Sequence, residues 1–459
     1  MSRSEDLGLV CRRFLLIKCR AMNDPIPDTP KRHDPYAAFR HPAYRRYFLA
    51  NFLGVFGNQM VKAAVAWKLY EQTHSTLTLG LVGLTLAIPH FIFFLPAGSA
   101  ADRHDRKGLF LGAQAFLLVA SLTLGFTHQF ARSVGAASIF SFLHPHTGLS
   151  QGTYLSLVYG SLLLMGGAFA FLIPAKQSLF PRLVPRNDIQ NAVTWNTSAF
   201  QVAAVSGPAL AGFLLSKFPG GTVFFIDAGL SLLVLGLVAS LDYVHEGGEL
   251  RAIDWKTLVE GIKFVKDTQL ILATITLDLF GVLFGGAMAM LPVYASDILH
   301  VGPLYYGYLQ AGPFLGAVVM TWFLAHRPLR KAGKTLLFAV AGFGLGTVVF
   351  GFSRNYWLSL AMMVLIGGFD CVSVILRGTL VQVLTPDRLM GRVQAVNFLF
   401  ITSSNELGYF ESGAVASLLG PVFSVVSGGI VTILVVLGAV KKWPELLKLD
   451  ELKPVKRIE

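Results

Sequence analysis

Four ionisable residues fall where long apolar runs ought to exclude them. Lys62, Asp278, Asp370 and Glu406 each lie within a mostly apolar block of the length that crosses a bilayer, about 20 residues. A charge near the middle of a bilayer costs on the order of 3 kcal/mol, so such residues face a polar interior, where they bind a solute or exchange protons. At about 1.5 Å of rise per residue, Lys62 lies near mid-depth of its block, and so do Asp370 and Glu406. Asp278 lies a third to half of the way along its block. An ion pair is the alternative reading for some of these charges, and Asp370 with Arg377, seven residues apart on one helical face, is the plainest pair.

Other reactive arrangements are missing from the sequence. Cys11, Cys19 and Cys371 show neither a disulfide framework nor metal-ligand spacing. His144 and His146 have no further ligands nearby. There is no phosphate-binding loop and no paired nucleophile and base. The expectation is therefore a protein that is not an enzyme, with no metal and no cofactor.

The elements that must position the four charges are read from composition. The chain of 459 residues is 54% hydrophobic and 14% charged, against roughly 25% charged in soluble domains. Apolar blocks run at about 47–70, 77–101, 109–127, 154–178, 192–216 and 222–241, then at about 269–295, 304–325, 335–352, 357–383, 393–417 and 421–440. This predicts an all-α membrane protein with twelve transmembrane helices. The net charge is +12, but it sits in short loops and not along a basic groove, which argues against nucleic acid as a partner. Of the 38 lysines and arginines, all but Lys62, Lys68, Arg132, Lys217 and Arg354 fall in segments on one side of the bilayer. The positive-inside rule makes that side cytoplasmic and places both termini there.

The organisation that follows is a disordered cytoplasmic leader over 1–45, six helices over 46–242, a cytoplasmic linker over 243–268, six helices over 269–440 and a cytoplasmic tail over 441–459. Arg12-Arg13 in the leader lacks the apolar stretch of an export signal, and Met22 is an alternative start. In the linker, Trp255, Leu258, Val259, Ile262 and Val265 share one helical face. That face suits either the inner leaflet or a packed protein surface.

The two halves resemble each other. Shifted by 201 positions, residues 166–212 align with 367–413 without a gap, and the identities include Gly166/Gly367, Pro185/Pro386, Asn196/Asn397, Gly207/Gly408 and Gly212/Gly413. Glycine and proline set close helix contact, so their repetition reports repeated packing. Lys176 aligns with Arg377, and both read as inner-side anchors; Asp370 and Glu406 align with Phe169 and Val205, so these acids serve one half only. A second match at a shift of 224, Asp102–Lys107 with His326–Lys331, is reconciled by one longer outer loop. Two six-helix bundles in the same orientation are a plan of secondary transporters.

With Gly98, Asp102, Arg103, Arg106 and Lys107 in the run GSAADRHDRK, the chain resembles the major facilitator superfamily. Asp105 stands at that motif's usual second glycine. Gly207, Pro208 and Gly212 in SGPALAG resemble the Gly-Pro motif of the superfamily's exporters. The runs LPVYASDILHVGP and RGTLVQVLTPDRLMGRVQAVN are similar to the enterobactin-exporter-like, secretion-type branch. The fourth span lacks the buried arginine of proton-coupled drug exporters.

The resemblance implies two pseudo-symmetric bundles, with spans 1, 4, 7 and 10 around a central cavity. Lys62, Asp278 and Asp370 lie on three of these spans, with Glu406 added from span 11. It further implies a multi-pass exporter of small amphipathic molecules in a bacterial inner membrane, monomeric, with a small-molecule substrate and protons as partners. Lipid or lysophospholipid flipping is the alternative use of the same fold. For the loop motif, Asp102 is expected to face the N-terminus of span 11 near Arg392, latching the halves on the inner side.

Overall fold

The computed structural model describes residues 34–103, 105–131, 149–218, 220–242, 255–326, 331–386 and 388–449, apart from the side chains at 94, 95, 99, 101–103, 255–258 and 448. The expectations for residues 1–33, for the 132–148 loop with its two histidines, for most of the linker and for the end of the tail lie outside these residues. So do the side chains of Asp102 and Arg103. Asp34 to Ala37 form a turn closed by the Ala37 amide on the Asp34 carbonyl at 3.3 Å.

From Pro42 onward the described residues form helices and turns, with no strand. The first half comprises α1 (Pro42–Thr73), α2 (Thr76–Arg103), α3 (Arg106–Ala131), α4 (Gln151–Leu179), α5 (Ile189–Lys217) and α6 (Thr222–Ala239). The short helix α7 (Trp255–Asp267) precedes the second half. That half comprises α8 (Gln269–Phe284) with α9 (Ala287–Val293), then α10 (Pro303–His326), α11 (Ala332–Phe352), α12 (Tyr356–Leu384), α13 (Met390–Leu419) and α14 (Pro421–Lys442).

Among the described residues, ten helical segments are long and apolar enough to cross a membrane, with α8 and α9 counted together as Gln269–Ile298. The two long helices outside that set are α1, with 32 residues, and α13, with 30. Each carries a polar series in its middle: Asn51, Asn58, Gln59 and Lys62 on α1, and Asn397, Asn405 and Glu406 on α13. Their lower apolarity comes from the residues that face the interior. Both have the length of a span and pack among the apolar ten.

The halves repeat their internal packing. In the first, α1 meets α5 and α6, α4 meets α2 and α3, and α3 meets α6. In the second, α8 meets α13 and α14, α12 meets α10 and α11, and α11 meets α14. The aligned glycines sit at equivalent seams. A methyl group at Gly207 would lie 3.0 Å from the Phe56 carbonyl oxygen of α1, and one at Gly408 would lie 2.9 Å from the Leu283 carbonyl oxygen of α8. The halves join through α2 with α13 and α5 with α10. There the repeat recurs: Gly212 lies against Pro303 and Gly307, while Gly413 lies against Thr76 and Gly80.

Two findings refine the sequence reading. Span 7 is interrupted at Gly285–Gly286 and ends in a π turn over Tyr294–Ile298, where a continuous block was expected. Helix α7 packs on protein through one part of its apolar face, with Gly261 against the Arg392 backbone and Val265 buried. Val259 and Ile262, 58% and 43% exposed, keep the rest of that face free.

The loop between α2 and α3 is built by capping. Asp105 accepts from the backbone amides of Lys107 (3.1 Å) and Gly108 (3.0 Å), so the aspartate that replaces the motif's glycine is the N-cap of α3. Lys107 Nζ donates to the Ala239 and Leu241 carbonyl oxygens at 2.7 and 2.8 Å, closing the C-terminus of α6. Lys107→Met is expected to lower the midpoint of thermal unfolding in detergent, at a cost of about 1 kcal/mol for two charge-assisted, partly exposed bonds. Lys107→Arg should stay near wild type.

Candidate functional site

Between the halves lies a cavity of about 460 Å³, lined by Lys62, Asp370 and Glu406 together with Gln59, Gln310 and Asn405. Phe169, Phe314 and Phe343 supply aromatic walls. A second chamber of about 770 Å³ shares Gln59, Lys62, Phe169, Phe314 and Glu406 with the first. It continues past Asn51, Gly54, Lys176 and Asn196 toward the end of the molecule where α1 begins, here called the terminal end.

At the opposite, far end the halves are closed. The Tyr70 hydroxyl donates to Asp297, and the Tyr306 hydroxyl donates to the Ala63 carbonyl oxygen at 3.1 Å. Trp67 and Tyr306 pack with ring centroids 5.1 Å apart. The Gly212–Gly307 and Gly80–Gly413 contacts lie toward the same end, so the cavity is a funnel with its mouth at the terminal end.

The four candidate charges divide three to one. Lys62 points into the cavity, and Asp370 and Glu406 are half-buried in its wall. Among the described residues none of these three side chains has a hydrogen-bond or ion-pair partner. Asp278 is different: it is buried and paired with Arg377, at 6% and 4% exposure. The Asp370–Arg377 pairing read from sequence is replaced by this one, which runs between α8 and α12. Asp370 and Asp278 still line one small cleft, and Arg377 Nε has no hydrogen-bond partner among the described residues.

Lys176 and Arg377, aligned in the repeat, differ in use. Arg377 is consumed by Asp278, whereas Lys176 lines the second chamber with its Nζ 5.3 Å from the Phe110 ring centre. This is a cation–π contact, with no carboxylate on Lys176 among the described residues. In the loop motif, Arg106 is buried, Gly98 faces open space and Arg392 pairs with Glu260. Pro208 reaches the cavity wall and Gly212 the seam between halves.

Sequence reasoning weighs charges and passes over amides. The side-chain carbonyl oxygens of Asn58, Asn196 and Gln310 are buried with no hydrogen-bond partner among the described residues, and all three residues line the chambers. Scoring Asn and Gln inside the spans by the rule used for charges would have found them. Asp227 is a further buried acid outside the candidate set. It lies within the first half, accepts from the Ser121 hydroxyl at 2.5 Å and sits directly over Gly57, so it reads as part of the packing.

An apolar-walled funnel with a few polar groups that lack partners among the described residues can hold a solute. Comparisons with known proteins agree. Over 90% of its length the chain is 27% identical to the enterobactin exporter EntS of Citrobacter koseri (strain ATCC BAA-895 / CDC 4225-83 / SGSC4696), covering 95% of that protein. It is 26% identical to EntS of Escherichia coli O1:K1 / APEC, over 85% of this chain and 89% of the relative. The nucleoside transporter NupG has the same fold, with a TM-score of 0.66 at 13% identity over 88% of this chain and 99% of NupG. The transmembrane secretion effector family matches over residues 33–457. The chain therefore belongs to that family, within the major facilitator superfamily, as a multi-pass membrane transporter and not an enzyme.

Proposed function

We propose that this protein is a secondary-active exporter of small amphipathic molecules, working as a monomer by alternating access in a bacterial inner membrane with both termini in the cytoplasm. The observation that carries the reading is the funnel: Lys62, Asp370 and Glu406 at its base, without ion-pair partners among the described residues, a mouth at the terminal end and closure at the far end. With the lysine-rich and arginine-rich segments inside, the mouth faces the cytoplasm, where an exporter loads. Rocking of the two repeated halves about this base would carry the solute outward. The names of the relatives support export, and their enterobactin is one solute to try. Protons are the coupling ion of this reading, taken up and released at Asp370 and Glu406.

The test is an export screen in a strain lacking its own pumps. Cells expressing the protein should accumulate several-fold less of a transported compound than cells with empty vector. Asp370→Asn and Glu406→Gln, at matched expression, should each remove most of that difference, and so should a protonophore. If both variants export at the wild-type rate, these acids have no part in coupling.

A further inference from the structure

The charges of the cavity are sorted by half. Lys62 comes from α1 of the first half, and Asp370 and Glu406 come from α12 and α13 of the second. They share one chamber, none forms an ion pair within 4 Å among the described residues, and the halves bearing them are joined mainly at the far end. A dipolar arrangement of this kind selects ligands by charge pattern. A purely anionic ligand on Lys62 meets two carboxylates across the chamber, and a purely cationic one on the carboxylates meets the ammonium. A ligand with both charges satisfies both walls and neutralises groups that are otherwise held partly out of water at a cost.

Lys176 does not alter this balance. Its Nζ lies near Gly54, whose added methyl would sit 3.8 Å from it. Gly54 is eight residues before Lys62 on α1, which at about 1.5 Å per residue is roughly 12 Å toward the mouth. One carboxylate cannot bridge both lysines, so the site at the base has one cation facing two acids. Gln310, with its unpaired carbonyl oxygen in the same chamber, adds an acceptor on the second half for an ammonium. Phe169, Phe314 and Phe343 offer an apolar surface beside the charges, and a chamber of 460 Å³ is of the size that holds a small organic molecule.

We infer that the site binds amphipathic zwitterions: small molecules with an acidic group set on Lys62, a basic group set on Asp370 and Glu406, and an aromatic or aliphatic body against the phenylalanines. Such a ligand ties the two halves together across the open funnel. This inference rests on the transport reading and adds the substrate class to it.

Three fluorescent probes of matched shape test it on the purified full-length protein: Nε-dansyl-lysine (zwitterion), dansylcadaverine (amine only) and dansyl-6-aminohexanoic acid (acid only). Dansyl-lysine is expected to bind at least tenfold more tightly than either of the others. Lys62→Gln should bring it down to the level of the amine probe, and Glu406→Gln with Asp370→Asn to the level of the acid probe. Lys62→Arg should retain the preference, which separates lost charge from lost folding. Tighter binding of either singly charged probe, an order unaffected by these variants, or no binding of dansyl-lysine would overturn the inference. Uptake of the same probes into proteoliposomes separates the two claims. If a singly charged probe is moved and dansyl-lysine is not, transport stands and the zwitterion site falls. If the binding order holds but no probe is moved, the site stands and the transport reading falls.

Discussion

Arg377→Ala is expected to leave little protein that survives mild heating in detergent. The guanidinium and the Asp278 carboxylate are both buried, at 4% and 6% exposure, and are paired across α12 and α8. Removing the arginine strands a carboxylate in an apolar wall beside Leu277, Val340 and Phe369. Breaking one side of such a pair costs about 3–5 kcal/mol, whereas replacing both partners with apolar residues of similar volume is often neutral. Arg377→Met with Asp278→Leu should therefore recover most of what Arg377→Ala loses. The measurement is the fraction eluting as a single size-exclusion peak after a temperature series. If Arg377→Ala melts at the wild-type temperature, the pair does not hold α8 and α12 together.

Gly212→Val is expected to spare folding and abolish transport. The added side chain would begin 2.5 Å from the Pro303 carbonyl oxygen, with the Gly307 backbone close behind it. This contact lies between the halves, so each half can keep its own packing while the far end is wedged apart. Overpacking of this kind costs roughly 1–3 kcal/mol, and a penalty of that size on one of two conformations shifts their ratio by about 5–150-fold. Modification of Ala66→Cys, a cavity position, by a membrane-impermeant maleimide from the far side should rise accordingly in a Cys371→Ser background. Unchanged labelling together with normal transport would mean that this seam does not govern access.

The spans were legible because bilayer length and apolarity leave few other readings, and the two halves because glycine and proline recur where backbones touch. Gly207 and Gly408 mark one seam twice, and Gly212 and Gly413 another. Partner choice was not legible. A sequence shows which residues share a helical face, which pairs Arg377 with Asp370 seven positions away, while its partner Asp278 arrives on another helix. The break at Gly285–Gly286 was hidden because glycine is common in membrane helices. In the loop motif, Lys107 reads from sequence only as a member of a cationic cluster, and its use as a cap on α6 depends on a helix end 132 residues away. The pattern of α7 could not tell lipid from protein because both accept an apolar face, and the helix divides that face between a packed Val265 and an exposed Val259.

The glycine-to-glycine meetings of α2 with α13 and α5 with α10 bear on friction. In the rocking motion proposed above, backbone sliding on backbone would meet few rotamers to unlock and few interlocked methyl groups to pull apart. Resistance to opening is then concentrated in a handful of directed bonds, the Tyr70–Asp297 and Tyr306–Ala63 links foremost. If the halves move as proposed, that motion can be quickened or slowed by retuning two tyrosines, without rebuilding the surfaces on which it turns.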